Sequence, residues 1–175
     1  MTYLAYAGIG SRSSSQDILD QMTRIARFLA VKSYTLRSGG ADGADTAFMH
    51  GVNTASLEGY PKLMEIYTPW HNFNNLSGNY ILEGASEEAE EIASRYHPAW
   101  HKCSSGAKKL HARNTHQILG TDCKSPVRFV LYWCPKGPDG RPQGGTAQAL
   151  RIAESYEIPM YMIGTPECNA FIGTL

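Results

Sequence analysis

Glycine-rich loops follow three strand-like apolar runs of this 175-residue chain. The loops read GIGSR at 8–12, SGGADGAD at 38–45 and QGGT at 143–146, and a helical pattern follows each of them. Glycine lets the backbone approach a ligand closely. The start of a helix adds unpaired N–H groups and a partial positive charge. Loops of this composition therefore favour an anion, most often a phosphate.

Polar side chains beside these loops fit the same chemistry. Arg12, Ser11 and Thr146 could add charged or hydroxyl donors to a phosphate. Any one loop could be only a tight turn, because none matches the dinucleotide-binding or Walker glycine pattern. The prediction depends on the recurrence. If the three strands are parallel, their carboxyl ends share the edge where open α/β sheets bind ligands.

The elements that would position these loops alternate between strands and helices. Several strands are continuously apolar, as expected when helices cover both faces of a parallel sheet. The pattern predicts an α/β sandwich with a mostly parallel sheet, in one domain over 1–175. Strands are expected at 3–8, 34–40, 62–69, 127–135 and 158–164, helices at 15–32, 41–52, 86–97, 104–119 and 145–157, and a long loop at 70–85.

Composition bounds the partners and the compartment. Lysine plus arginine and aspartate plus glutamate number 16 each, so a global basic field is absent and nucleic acid is an unlikely partner. No signal-peptide pattern and no bilayer-length apolar run is seen. The four cysteines lack CxxC spacing and are expected to be reduced, in a cytoplasmic protein. The histidines lack zinc-site spacing and are interpreted as polar surface residues, so no metal and no cofactor is expected.

Several motifs together resemble a known superfamily. SGGADGAD at 38–45, KLHARNTHQIL at 109–119 and QGGTAQALRIAESYEIPMYMI at 143–163 resemble the SLOG superfamily. This Rossmann-like group contains the Lonely Guy cytokinin-activating phosphoribohydrolases and the DNA-processing protein A (DprA/Smf) domain. YAGIGSR at 6–12 is similar to small, often phage-encoded, DprA-like SLOG proteins. The resemblance implies a Rossmann-like three-layer fold, a nucleotide or phosphoribosyl ligand, and a homodimer or larger assembly.

The resemblance also implies roles for particular residues. Lonely Guy enzymes carry an Arg-Lys pair on a helix and a glycine loop followed by a glutamate. Here Arg113 takes the arginine position, Asn114 the lysine position, and Gln148 falls about where the glutamate is expected. Glycosidic hydrolysis builds positive charge that a carboxylate can stabilise. A glutamine is neutral and can only form hydrogen bonds to a bound nucleotide. Hydrolysis would then need a carboxylate from another residue, and Asp42 and Asp45 in the second glycine loop are the candidates.

Three functions follow, and binding of a nucleotide-derived small molecule is favoured. The alternatives are a phosphoribohydrolase-like N-glycosidase acting on nucleoside monophosphates, with Arg113 and Gln148 as catalytic candidates, and DprA-like binding of single-stranded DNA, which the balanced charge disfavours. Trp70 and Phe73 follow the third strand and could stack on a base or anchor a loop. The predicted ligand-binding residues are Gly8, Gly10, Ser11, Arg12, Ser38, Gly39, Gly40, Asp42, Asp45, Trp70, Phe73, Arg113, Asn114, Gly144, Gly145, Thr146 and Gln148.

Overall fold

A computed structural model describes residues 3–175 and shows one six-stranded sheet in which every strand pair is parallel. The strand order is β4-β3-β2-β1-β5-β6. The chain therefore builds outward from β1 in one direction and then returns to its other side with β5. This reversal is the topological switch point at which open α/β sheets form a crevice. The strands are β1 Ala5–Gly10, β2 Thr35–Ser38, β3 Met64–Thr68, β4 Ile81–Glu83, β5 Val130–Trp133 and β6 Met160–Met162.

Helices cover both faces of the sheet, which confirms the predicted Rossmann-like three-layer sandwich. They are α1 Gln16–Val31, α2 Ala44–Leu57, α3 Glu87–Tyr96, α4 Ser105–Leu119, α5 Gly145–Ser155 and α6 Pro166–Ile172. Helices α1, α2 and α6 pack in one apolar core, and α3, α4 and α5 pack in the other. Alternate residues of β1 serve the two cores, with Tyr6 in the first and Ala5, Ala7 and Ile9 in the second. Within residues 3–175, no helix has the length and apolar character needed to cross a bilayer.

Serine caps fix where three of the helices begin. Ser15, Ser86 and Ser104 each accept a hydrogen bond from the backbone N–H three residues further on, at the starts of α1, α3 and α4. Helix α5 differs, because its N-cap is Gly144 and has no side chain to satisfy the first N–H groups. The start of α5 is therefore open to an external acceptor.

The structure corrects three predicted elements. The segment 70–85, expected to be a loop, contains a 3₁₀ turn at Phe73–Asn75 and the edge strand β4. A strand of three residues is too short to show a period in the sequence. Helix α2 continues past its predicted end at residue 52 to Leu57, and Gly51 inside it lies close to the backbone of α1. Helix α6 was not predicted.

Candidate functional site

A cleft of about 620 Å³ lies at the carboxyl edge of the sheet, beside the switch point between β1 and β5. It is bounded by the loop after β1, the turn before α2, one side of α4 and the start of α5. The structure thus brings parts of all three glycine loops together. The lining residues are Ile9, Gly10, Ser11, Arg12, Ala41, Asp45, Leu110, His111, Arg113, Asn114, Gln117, Pro135, Gln143, Gly144, Gly145, Thr146 and Ala149.

The start of α5 forms one wall of the cleft. Gly144 has φ 78°, in the left-handed region that favours glycine. A Cβ atom on Gly144 or Gly145 would meet no atom within 4 Å. Within residues 3–175, the backbone N–H groups of Gly145 and Thr146 have no protein acceptor. Unpaired amides at a helix start facing open space are the arrangement that binds phosphate in other proteins.

Arg113 lines the cleft but is only 6% exposed, because its guanidinium braces the loop after β2. It donates to the carbonyl oxygens of Gly39 and of Tyr67, the latter at 3.3 Å, and to Asn114 Oδ1 at 3.0 Å. Burial lowers the pKa of Arg113, and the nearby carboxylate of Asp45 acts in the opposite direction. The side chain predicted to contact ligand is therefore already bonded to three protein oxygens.

Asn114 connects this buried arginine to the start of α5. Its Oδ1 accepts from Arg113 Nε, and its Nδ2 donates to the carbonyl oxygen of Gly145 at 3.1 Å. Both amide atoms of Asn114 are thereby used, which fixes the orientation of the side chain. The glycine loop before α5 is held in register with α4 by this pair of bonds.

Asp45 and Asp42, the two carboxylates of the second glycine loop, occupy different environments. Asp45 lines the cleft, is 4% exposed, and accepts the N–H of Ala41 at 3.1 Å. Burial raises the pKa of Asp45, while Arg113 and the backbone N–H groups partly offset that rise. Asp42 is exposed and lies outside the cleft. Asp45 is the one acidic residue of the cleft lining within the described chain.

Four predicted binding residues of the first two glycine loops, Gly8, Ser38, Gly39 and Gly40, do not line the cleft and make packing or hydrogen-bond contacts instead. A Cβ on Gly8 would lie 2.7 Å from Phe48, so the strand needs a glycine there for contact with α2. The Ser38 hydroxyl donates to the Gly8 carbonyl oxygen at 2.6 Å. A side chain on Gly39 would collide with the Arg113 guanidinium. Gly40 also lies outside the cleft lining, where its carbonyl oxygen accepts from Asn74 Nδ2 at 2.9 Å.

Gln148 is placed away from the cleft, contrary to the position that the resemblance implies. It is fully buried between α5 and α3, where Nε2 donates to the carbonyl oxygen of Ala93 at 2.9 Å. Its Oε1 accepts from Arg151 at 2.7 Å. The cleft side of α5 is occupied instead by Thr146 and Ala149. This helix therefore brings neither a glutamate nor a glutamine side chain to the cleft.

Trp70 and Phe73 also lie outside the cleft lining. Their rings make an edge contact with centroids 5.4 Å apart. Phe73 is buried, with the Arg113 guanidinium carbon 5.8 Å from its ring centroid, whereas Trp70 is 40% exposed. Of the two readings left open by the sequence, the loop anchor describes Phe73.

Sequence reasoning missed the contribution of a whole face of α4. Leu110, Gln117 and His111 line the cleft together with Arg113. The spacing of three and four residues places Leu110, Arg113 and Gln117 on one helix face. Once Arg113 was a candidate, this spacing could have predicted the other two residues. The expectation of surface histidines is wrong for His116, which is 4% exposed and accepts the Ser86 N–H at 3.1 Å.

Comparison with solved structures finds proteins of the same architecture. DNA processing protein A from Helicobacter pylori, described for its single-stranded DNA binding mode, has a TM-score of 0.63 and 21% identity, over 99% of this chain and 80% of that chain. The Moco carrier protein of Chlamydomonas rheinhardtii has a TM-score of 0.54 and 13% identity, over 99% and 84%. A structural genomics consortium target has a TM-score of 0.52 and 15% identity, over 90% and 72%.

The chain has a Rossmann-like three-layer α/β fold. No protein-family model and no curated protein sequence matches it. The three structural likenesses fall below 25% identity and concern the fold alone.

Proposed function

We propose that the cleft binds a phosphate-bearing, nucleotide-derived small molecule, with the phosphate seated on Gly144–Thr146. The observation that carries this proposal is that unpaired backbone N–H groups of α5 and an arginine without an ion-pair partner line the same cleft. The N–H groups of Gly145 and Thr146 have no acceptor within the described chain. Arg12 lines the same cleft, is exposed, and has no ion-pair partner among residues 3–175.

The two arginines of the cleft differ in what they can offer an anion. Arg113 is committed to Gly39, Tyr67 and Asn114, so it supplies positive potential and rigidity more than free donors. The Arg12 guanidinium is free to form charge-assisted hydrogen bonds, which are about twice as strong as neutral ones. A phosphate between Arg12 and the start of α5 would be bound by both.

The deeper part of the cleft suits the remainder of a nucleotide. Asp45 and Gln117 offer polar atoms, and Ile9 and Leu110 offer apolar surface. A carboxylate and an amide are suitable partners for ribose hydroxyls. The volume of about 620 Å³ lies in the range of small-molecule sites.

We expect Arg12→Ala to weaken binding of the phosphate ligand by about tenfold, the loss of one charge-assisted hydrogen bond. Calorimetric titration against inorganic phosphate and a panel of nucleoside mono-, di- and cyclic phosphates measures this. Arg24→Ala is the matched control. Arg24 is exposed on α1 and lies outside the cleft, so this substitution removes the same charge at a position away from the proposed site. Equal affinity of the two variants for the best ligand would remove Arg12 from the site.

Single-stranded DNA belongs in the same titration, because the Helicobacter pylori neighbour is described as a single-stranded DNA binder. A polynucleotide contacts several phosphates, so its affinity falls steeply with salt. A mononucleotide bound through one phosphate shows a shallow salt dependence. Tight, steeply salt-dependent binding of the oligonucleotide, with no binding of mononucleotides, would identify DNA as the ligand of the cleft and would contradict the small-molecule proposal.

A second function, hydrolysis of an N-glycosidic bond, is favoured by the position of Asp45. In that reaction the bond electrons go to the base, which takes up a proton, while water adds to the sugar carbon and gives up a proton. Burial raises the pKa of Asp45, and this brings a carboxyl group closer to the range useful for accepting that proton. Asp45, rather than Gln148, is the residue of the cleft that could do so.

We expect Asp45→Asn to lower the rate of base release by about 10²–10⁴, the usual contribution of a general base. Chromatography of free base from a nucleoside monophosphate panel measures the rate. Binding of the same nucleotides should persist in this variant, since Asn keeps an oxygen for the Ala41 N–H. No base release by the unaltered protein, together with retained binding, would leave binding as the function of the cleft.

A further inference from the structure

The connection between α3 and α4 brings two histidines and a cysteine together. His97 directly follows α3, Cys103 follows the 3₁₀ turn Trp100–Lys102, and His111 lies on the second turn of α4. One nitrogen of each histidine and the Cys103 Sγ atom all lie within 4.8 Å of one another. The sequence did not indicate this cluster, because its H-x₅-C-x₇-H spacing matches no zinc motif and Pro98 interrupts the helix.

The distances are near those of a tetrahedral metal site. Cys103 Sγ lies 3.7 Å from Nε2 and 3.8 Å from Nδ1 of His97. Zinc bonds to sulfur and nitrogen of about 2.3 and 2.1 Å place tetrahedral S and N ligands about 3.6 Å apart. The ring centroids of His97 and His111 are 4.5 Å apart.

One imidazole nitrogen of the cluster has no hydrogen-bond partner among residues 3–175. His111 Nδ1 is buried and makes no hydrogen bond within the described chain. Buried polar atoms of this kind are rare and need an explanation. His97 Nδ1 accepts the Ala99 N–H at 3.1 Å. A metal bound to Nδ1 would take the lone pair that accepts this N–H. A metal bound to Nε2 would leave the ring proton on Nδ1, which then could not accept a hydrogen bond, so metal binding removes the bond to Ala99 in either case.

We propose that His97, Cys103 and His111 bind one Zn²⁺ ion, with the fourth position left to water or to the ligand of the cleft. A set of two imidazoles and a thiolate suits zinc and excludes the hard cations Mg²⁺ and Ca²⁺. His111 also lines the cleft, so the ion would lie at its edge. Arg151 is a positive neighbour of both histidines, and the charge of the Cys103 thiolate offsets it. The inference stands on these residues and does not require the proposed nucleotide function.

The test is a calorimetric titration of Zn²⁺ into the chelator-treated protein, with Co²⁺ as a spectroscopic substitute. We expect one ion per chain and a thiolate-to-cobalt charge-transfer band in the near ultraviolet. Cys103→Ala should abolish the band, and His97→Ala or His111→Ala should each weaken Zn²⁺ binding by about tenfold or more. His101→Ala is the matched control, as His101 is exposed in the same segment and absent from the cluster.

Two readouts keep the outcome decisive. Near-ultraviolet circular dichroism of each metal-free variant shows whether the fold persists, and only folded variants are compared. A band that survives in folded Cys103→Ala, or a loss of affinity in His101→Ala as large as in His111→Ala, would overturn the site. Absence of stoichiometric Zn²⁺ binding by the unaltered protein would show that the cluster is a packing contact of His97 and His111 with Trp100.

Discussion

Arg113→Ala is expected to lower the free energy of unfolding by about 3–5 kcal/mol, the usual cost of removing one partner from a buried charged network. The substitution leaves the carbonyl oxygens of Gly39 and Tyr67 and the Oδ1 atom of Asn114 without their donor. It also removes the positive charge that opposes the rise in the pKa of Asp45. Urea unfolding followed by circular dichroism measures the change.

Two companion variants separate charge from geometry. Arg113→Lys keeps the charge but lacks the planar fork that reaches several oxygens at once, so it should recover only part of the loss. Arg12→Ala removes the other cleft arginine, which is exposed, and should change stability by less than about 0.5 kcal/mol. A folded Arg113→Ala protein within about 1 kcal/mol of the unaltered chain would contradict the bracing role.

This expectation changes how Arg113 can be used in functional assays. Because Arg113 lines the cleft, loss of activity in Arg113→Ala would look like loss of a ligand contact. Arg113 also holds the loop after β2 through Gly39 and the start of α5 through Asn114, so the same substitution is expected to release both segments. Arg12 and Asp45 are the better probes of the cleft.

The sequence predicted the sandwich well because the signals for it are local. Helical stripes, apolar strands and serine caps lie within single elements, and the strand ends share an edge once the sheet is parallel. β4 was missed because three residues on the edge of a sheet carry no detectable period. The order that places β5 beside β1 depends on long-range packing that no local pattern encodes.

The candidate site could be predicted only in part, because glycine can have two different roles: close packing against neighbouring side chains, or leaving space for a ligand. Gly8 and Gly39 are glycines because neighbouring side chains fill the space of a Cβ, whereas the same space is empty at Gly144 and Gly145. Composition cannot distinguish these cases. The position of Gln148 on the far side of α5 depends on a helix rotation that an alignment of motifs does not show. The histidine and cysteine cluster likewise exists only in three dimensions.

Gly145→Ala is expected to abolish or weaken phosphate binding by about tenfold or more while leaving the fold intact. The added methyl group meets no protein atom within 4 Å and projects from the start of α5, on the wall where the phosphate is proposed to lie. Because Gly145 does not have a positive φ, alanine fits its backbone. Replacing glycine by alanine at such a position raises stability by about 0.4–1 kcal/mol through the unfolded chain.

Gly106→Ala is the matched control for this variant. Gly106 lies in the first turn of α4, where a Cβ also meets no atom within 4 Å, but it is outside the cleft. Both variants should melt at or above the temperature of the unaltered protein, and only Gly145→Ala should lose affinity for the phosphate ligand in calorimetry. If the two bind equally well, the phosphate cannot lie against the start of α5, and an anion in the cleft would have to depend on Arg12 alone.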